Sequence, residues 1–257
     1  MEYNAKITNY KDSTHITFYS STIKRTVKEE VDIITYDIKK KIPIIEDLQN
    51  DLRKEENQKH SLSSSVSRSK NNLYRIARSN EWEYFITFTF NPKQVDSTNY
   101  EVVSNIVSSW FSNLRKTSPD LKYLAVPELH KDKKKYHYHA LISNADSLIL
   151  SDSGKVDQDG CPIYNIDSWK WGFTTASKIK DNAKVTNYIG KYITKDLMNN
   201  LKYKKRYYAS ENCYVENEDY KMMYYDDFYK LLGEASYVKT VHVPQAGQKI
   251  TYIEINH

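Results

Sequence analysis

Cysteine, glycine and proline are all scarce in this chain: two, six and six residues among 257. Cys161 and Cys213 lie far apart without metal-type spacing. That argues against a disulfide-stapled scaffold and fits a reducing compartment. No GxxxxGKS or GxxxxGKT motif occurs, so no phosphate-cradling loop, and with it no attached helicase or NTPase motor, is expected. No run of 18 apolar residues is present, which excludes a spanning helix. The opening "MEYNAKITNYKDSTH" lacks the apolar core of a secretory signal. With 39% hydrophobic residues and a mean hydropathy of −0.75, the expectation is a soluble protein with no membrane partner, large enough for one sizeable core or two small ones.

What the chain does have is tyrosine (23 residues), lysine and a net charge of +5, by itself a weak sign of a polyanionic partner. Short β-branched runs between 5 and 38 read as strands of an N-terminal appendage, and 44–60 as a charged helix and link. The Ser-rich "SLSSSVSRSK" marks a boundary near 60–64. The expected organisation is an appendage at 1–60, a central domain at 64–210 and a C-terminal extension at 211–257. Within the centre, a helix is predicted at about 64–79, with Val66, Leu73, Ile76 and Ala77 on one face. "EYFITFTF" (83–90) reads as a strand with Tyr84, Ile86, Phe88 and Phe90 on one side and Phe85, Thr87 and Thr89 on the other. Thr98 and Glu101 have capping-box spacing before an amphipathic helix ending near Pro119. Strands at 121–130 and 136–143 flank the turn "KDKKK"; a loop, the strand-like "GFTTASKI" and a helix near 182–199 follow. The order predicts an α+β fold, a mainly antiparallel sheet with helices on one face.

Two places carry chemistry. In "AVPELHKDKKKYHYHALIS" (125–143), strand alternation puts His137 and His139 on one face and Glu128 and His130 on one face. A turn centred between Lys133 and Lys134 would pair Glu128 with His139 and His130 with His137, bringing a carboxylate and two imidazoles together. Such a strand is either a polar, solvent-facing one or a metal-ligand set of Glu128, His137 and His139. His130 is read as a hydrogen-bond donor to a ligand or an exposed residue. In "NAKVTNYIGKYITKDL" (182–197), Tyr188 and Tyr192 share a helical face, each followed three residues on by a lysine, Lys191 and Lys195. A core-facing aromatic stripe is the plainer alternative. Between 178 and 206 there are nine basic and two acidic residues; between 211 and 234, two basic and seven acidic. Lys178, Lys180, Lys184, Lys202, Lys204, Lys205 and Arg206 are therefore candidate contacts to a nucleic-acid backbone.

Together these residues resemble the HUH endonuclease superfamily, and within it the two-tyrosine rolling-circle replication initiators of small single-stranded DNA phages and related plasmids. "FITFTF" is similar to the family's first motif, "HYH" to its His-hydrophobic-His motif with Tyr138 in the middle, and "YIGKYITKD" to its third. The resemblance covers about 64–210. It implies an antiparallel sheet related to the RNA-recognition-motif and ferredoxin-like arrangement. It implies a Mn²⁺ or Mg²⁺ ion on Glu128, His137 and His139, with Tyr188 and Tyr192 as nucleophiles aided by Lys191 and Lys195. The substrate would be single-stranded DNA at a replication origin, in the cytoplasm of a bacterial host, with separate host helicase and polymerase as partners. If only one tyrosine reacts, "KYITK" favours Tyr192. A relaxase or single-strand transposase would use the same chemistry. A non-catalytic single-strand binder would instead stack bases on sheet aromatics such as Phe85. A zinc-stabilised structural protein fits least, for want of cysteine ligands.

Overall fold

The computed structural model describes residues 1–24, 64–192, 197, 201 and 204–257. The expected helix and link at 44–60 lie outside these residues. The chain forms two compact units, one from Met1–Asn50 with Glu216–His257 and the other from Asp51–Val215.

The first unit joins both ends of the chain. Strands β1 (Glu2–Asn9) and β2 (Ser13–Lys24) pair with strands from the C-terminal segment: β10 (Asp219–Lys221), β11 (Tyr237–Val243) and β12 (Gln248–Asn256), in the antiparallel order β10-β1-β2-β12-β11. A helix between them, α4 (Tyr225–Glu234), completes a small core of Ala5, Ile16, Phe18, Met223, Phe228 and Ile253. Phe18 stacks on Phe228 at 4.1 Å. The two end segments, which read separately in the sequence, thus share one sheet.

The second unit is a seven-stranded antiparallel sheet with helices, the α+β class expected. Its strands are β3 (Tyr84–Phe90), β4 (Lys122–Leu129), β5 (Tyr136–Ser143), β6 (Leu150–Val156), β7 (Pro162–Ile166), β8 (Gly172–Lys178) and β9 (Tyr208–Ala209), ordered β6-β7-β8-β3-β5-β4-β9. Helix α1 covers described residues 64–78, and α2 spans Tyr100–Thr117. The alternation in β3 is as expected: Ile86, Phe88 and Phe90 are buried. Phe88 meets Trp110 (5.2 Å) and Phe111 (5.9 Å) of α2, and Tyr138 on the same sheet face hydrogen-bonds Ser104 of α2 at 2.6 Å. Burying these aromatic rings together supplies the main driving force of the unit.

The cap of α2 differs from the capping-box expectation. Asn99 is the N-cap, its side chain accepting from the backbone N–H groups of Glu101 and Val102, while Thr98 donates to Asp96 at 2.6 Å. Asp96 already takes both the hydroxyl and the backbone N–H of Thr98, so the threonine is engaged one residue too early to cap. The stretch between β5 and β8, read as loop, contains the hairpin β6–β7.

Candidate functional site on the open sheet face

The hairpin β4–β5 is closed by a turn centred one residue earlier than expected. His130 and Lys135 close it (N–H to O, 2.8 Å), and Lys133 N–H returns to His130 O at 2.8 Å. Two features set this centre. Lys133 adopts a left-handed φ of 55°, and Asp132 Oδ1 accepts from the N–H groups of Lys134 and Lys135. Those bonds hold the Asp132 carboxyl below its ordinary range. The register is therefore Glu128 opposite His137 and Val126 opposite His139. This corrects the expected pairing of Glu128 with His139 and of His130 with His137, but all the named residues keep their face.

On that face the side chains still bring Glu128 to His139, diagonally: Nε2 of His139 and Oε2 of Glu128 are 2.6 Å apart. The other ring nitrogen, Nδ1, meets Thr87 Oγ1 at 3.1 Å, since β3 pairs with β5 with Thr87 opposite His139. A carboxylate only accepts, so the neutral ring carries its proton on Nε2 and takes the Thr87 hydroxyl proton at Nδ1. His139 is buried; the Tyr192 ring stacks on it at 3.7 Å and 13°, and Phe85 lies alongside both rings, 5.5 Å from His139 and 6.4 Å from Tyr192. His137 is half-buried beside His130, with ring centroids 5.0 Å apart. Burial, then the neighbouring His130, holds His137 below the ordinary imidazole value. His130 itself is exposed. Among the described residues no group of three or more His, Cys, Asp or Glu side chains stands close enough to hold a metal ion. The fit to a divalent cation rests on donor type and shared face: one carboxylate and two imidazoles.

The tyrosines arrive on α3 (Asn182–Ile189) and the 3₁₀ turn Gly190–Tyr192 that continues it. Asp181 caps α3, and Trp82 N–H donates to Asn182 Oδ1 at 2.9 Å, tying the helix start to the residues before β3. Tyr188 and Tyr192 lie edge to face at 5.4 Å, and Tyr188 also meets the edge of Phe85 at 5.4 Å. Tyr192 is only 9% exposed, whereas Tyr188 is 45% exposed with the Lys191 ammonium 5.3 Å above its ring. Burial first, then the Tyr188 hydroxyl, then the Glu128 charge, raises the Tyr192 phenol well above its ordinary value. Tyr138, the middle residue of "HYH", is fully buried and its phenol is raised by that burial, as suits a core residue.

Lys195 and Lys202 lie outside the described residues. Of the other candidate phosphate contacts, Lys178, Lys180 and Lys184 are exposed near α3. Lys184 also pairs with Asp181 at 3.6 Å. Lys204 pairs with Glu101 at 3.2 Å and Lys205 sits over the Tyr208 ring. Arg206 Nη1 is engaged by Ser65 and Ser69 of α1. Thr87 and Phe85 are the residues that sequence reasoning left without a role in the site. Their face was readable from alternation in β3; their contact with His139 depends on β3 pairing with β5, which no local signal announces.

Residues 83–197 match a family model described as Replication-associated protein of the ORF2 type. The match begins just before β3 and ends just past Tyr192, so it encloses every side chain of this site. It supports a replication-initiator role of the rolling-circle type. No curated protein and no solved structure matches the chain significantly.

Proposed function

We propose that the protein nicks and rejoins single-stranded DNA at a replication origin by tyrosine transesterification, in the two-tyrosine HUH manner. The observation that carries this reading is the Tyr192 ring stacked on His139 of the Glu128–His139 pair, with Tyr188 beside it, inside the segment that matches a replication-associated family. In the reaction, a tyrosine oxygen attacks the phosphorus, the P–O3′ bond breaks, and the leaving 3′ oxygen takes up a proton. The protein keeps the downstream strand as a 5′-phosphotyrosine, so bond energy is conserved and no nucleotide cofactor is needed. Attack by a free 3′-OH on the phosphotyrosine re-forms the phosphodiester and releases the tyrosine, which takes up the proton; the second tyrosine can cleave a second phosphodiester by the same forward step.

Glu128, His137 and His139 would hold one Mn²⁺ or Mg²⁺. Such an ion supplies Lewis-acid stabilisation of charge developing on the phosphate. Thr87 suits this role of His139. A hydroxyl both donates and accepts, so it supports the ring whether the proton sits on Nε2 or moves to Nδ1 and leaves Nε2 free to ligate. Phe85 and Tyr192 hold the imidazole plane. Lys191, with Lys195 in the second tyrosine-lysine unit, would favour the phenolate and neutralise phosphate oxygens. The exposed lysines 178, 180 and 184 would take the strand backbone. Helicase and polymerase would come from the host.

The test is direct. The full chain is incubated with Mn²⁺ and a randomised pool of single-stranded DNA labelled at its 3′ ends, because the protein would retain the downstream fragment. A labelled band at protein size that survives boiling in detergent is expected. The double variant His137→Ala, His139→Ala should form none while still binding the DNA. Undiminished adduct in that variant would refute the metal-site assignment.

A further inference from the structure

The open sheet face continues past the site to an aromatic residue that the proposed chemistry does not use. Phe173, second residue of β8, is 78% exposed although it sits within a paired strand. Its Cα partner is Thr89 of β3. β3 pairs with β5 through Phe88 opposite Tyr138, so one step on Thr89 lies beside His137, and His137 lies opposite Glu128. Glu128, His137, Thr89 and Phe173 thus form one row across four neighbouring strands, all on the same face. Adjacent strands lie about 4.8 Å apart, which puts Phe173 about 10 Å from His137 along this row.

Phe173 is also held firmly. Gly172 before it has φ +154°, and a Cβ there would stand 2.1 Å from Thr89 O and 2.8 Å from Asn91 N. Only glycine lets β8 start this close to the end of β3, where Asn91 N–H donates to Trp171 O at 2.8 Å. The ring is therefore presented from a fixed strand backbone, which lowers the ordering cost of binding to that of the side chain alone. The charge at the same end of the sheet favours a polyanion. The β4–β5 turn exposes Lys131, Lys133, Lys134 and Lys135, and its one acid, Asp132, is occupied by two backbone N–H groups.

We infer that Phe173 is a stacking platform for a base of single-stranded DNA adjoining the phosphate held at the Glu128–His137 end of the row. A flat ring with a free face, a lysine-rich turn at the same edge and continuity with the tyrosine site together match a single strand, whose unpaired bases stack on aromatic side chains. A duplex buries those base faces. The inference rests on the proposed reading of this face as the DNA face, but its test needs no cleavage.

Binding of a fluorescent oligothymidylate to the full chain is followed by anisotropy in EDTA, so that no nicking occurs. Phe173→Ala should weaken binding about tenfold or more, the scale of one lost base–aromatic stack. Phe173→Leu, which keeps apolar bulk without the ring, should behave like alanine. Phe173→Trp should bind at least as tightly as the parent. Melting curves of all three should match the parent, because the ring is exposed. A loss under threefold, tight binding by the leucine variant, or failure of tryptophan to restore affinity overturns the platform while leaving the adduct assay to judge the chemistry. Absence of binding by the parent overturns both.

Discussion

Replacing Tyr188 with phenylalanine removes the more reachable of two hydroxyls, and the size of the effect can be worked from the surroundings of its neighbour. A phenol of ordinary acidity, near 10, is about 1% ionised at pH 8, and each unit of elevation removes a further factor of ten. Tyr192 is raised by burial, by the Tyr188 hydroxyl and by the Glu128 carboxylate. A cation on Glu128 would offset the third cause but not the first, which is the largest. Tyr192 is also only 9% exposed with its ring stacked on His139, which leaves its oxygen less room than that of Tyr188 to approach a phosphate within about 3–3.5 Å. The Tyr188 ring, by contrast, is 45% exposed and touches Phe85 and Tyr192 rather than His139. The first attack is therefore assigned to Tyr188 and the second to Tyr192, although the sequence pattern alone favours Tyr192 as a sole nucleophile.

Single-turnover adduct formation should thus slow about tenfold or more in Tyr188→Phe, since burial leaves Tyr192 with less phenolate, and much less in Tyr192→Phe. The pH dependence gives a second readout. A phenol whose value lies above the assay range gains phenolate tenfold per pH unit, so the Tyr188→Phe rate should rise about tenfold from pH 7 to 8 and again to 9. Phenylalanine keeps each ring and its packing, so the readout reports the hydroxyl. The assay is the 3′-labelled adduct, quenched at intervals and mapped by peptide digestion. Adduct in the double variant, or nucleotide found on a tyrosine outside 188 and 192, would refute the reasoning. Slow reaction by Tyr192→Phe with full speed by Tyr188→Phe would reverse the assignment.

Three further outcomes follow from local geometry. Gly172→Ala forces a Cβ into backbone on two sides at 2.1 and 2.8 Å, where no flexible side chain can yield; a loss of about 3 kcal/mol or more is expected in urea unfolding, and a loss under about 1 kcal/mol would show that β8 can slide away from β3. Thr87→Val removes the hydroxyl from His139 Nδ1; it should cost about 1 kcal/mol of stability and weaken Mn²⁺ binding by about 10- to 100-fold in calorimetry, with Thr87→Ser recovering most of both. Burial raises the Cys213 thiol, which contacts Ser210 and the Tyr123 carbonyl; a thiol reagent at pH 8 should label Cys161 first and Cys213 only slowly until the protein is unfolded, whereas equal rates would contradict its placement.

The elements readable from sequence were those with a clear apolar period and a dry face to bury. β3, α2, β4 and β5 all have one, and all form near their expected bounds. β6 and β7 have none: Leu150–Val156 is largely solvent-facing on both sides, so no alternation marks it. The pairing of β2 with β12 was also invisible. It joins residues more than two hundred positions apart, and nothing local in either strand names its partner. For the site, Tyr188 and Tyr192 were placed by helical spacing, and their proximity survives a change of helix type at Gly190. Thr87 was legible only as a face, because its role comes from a neighbouring strand's register.

The hairpin shows why a wrong register can still place the same residues on one face. The expected pairing differed from the actual one by two positions in the partner strand, and a shift of two preserves which side of the sheet each residue takes. A shift of one would have sent Glu128 to the face covered by α2, with no relation to either histidine. Because parity was kept, the only change is which imidazole stands directly opposite the carboxylate. Glu128 has His137 as its Cα partner, yet its oxygen meets His139, a diagonal within reach of a long side chain. The surroundings select that diagonal. His139 is fixed by Thr87 on one edge and by the Tyr192 ring on its face, so its Nε2 has a single direction; His137 lies beside the exposed His130, with fewer constraints. The carboxylate therefore bonds the imidazole that is already held. The same asymmetry would make His139 the fixed point of the proposed site, with His137 the side chain that adjusts if an ion binds there.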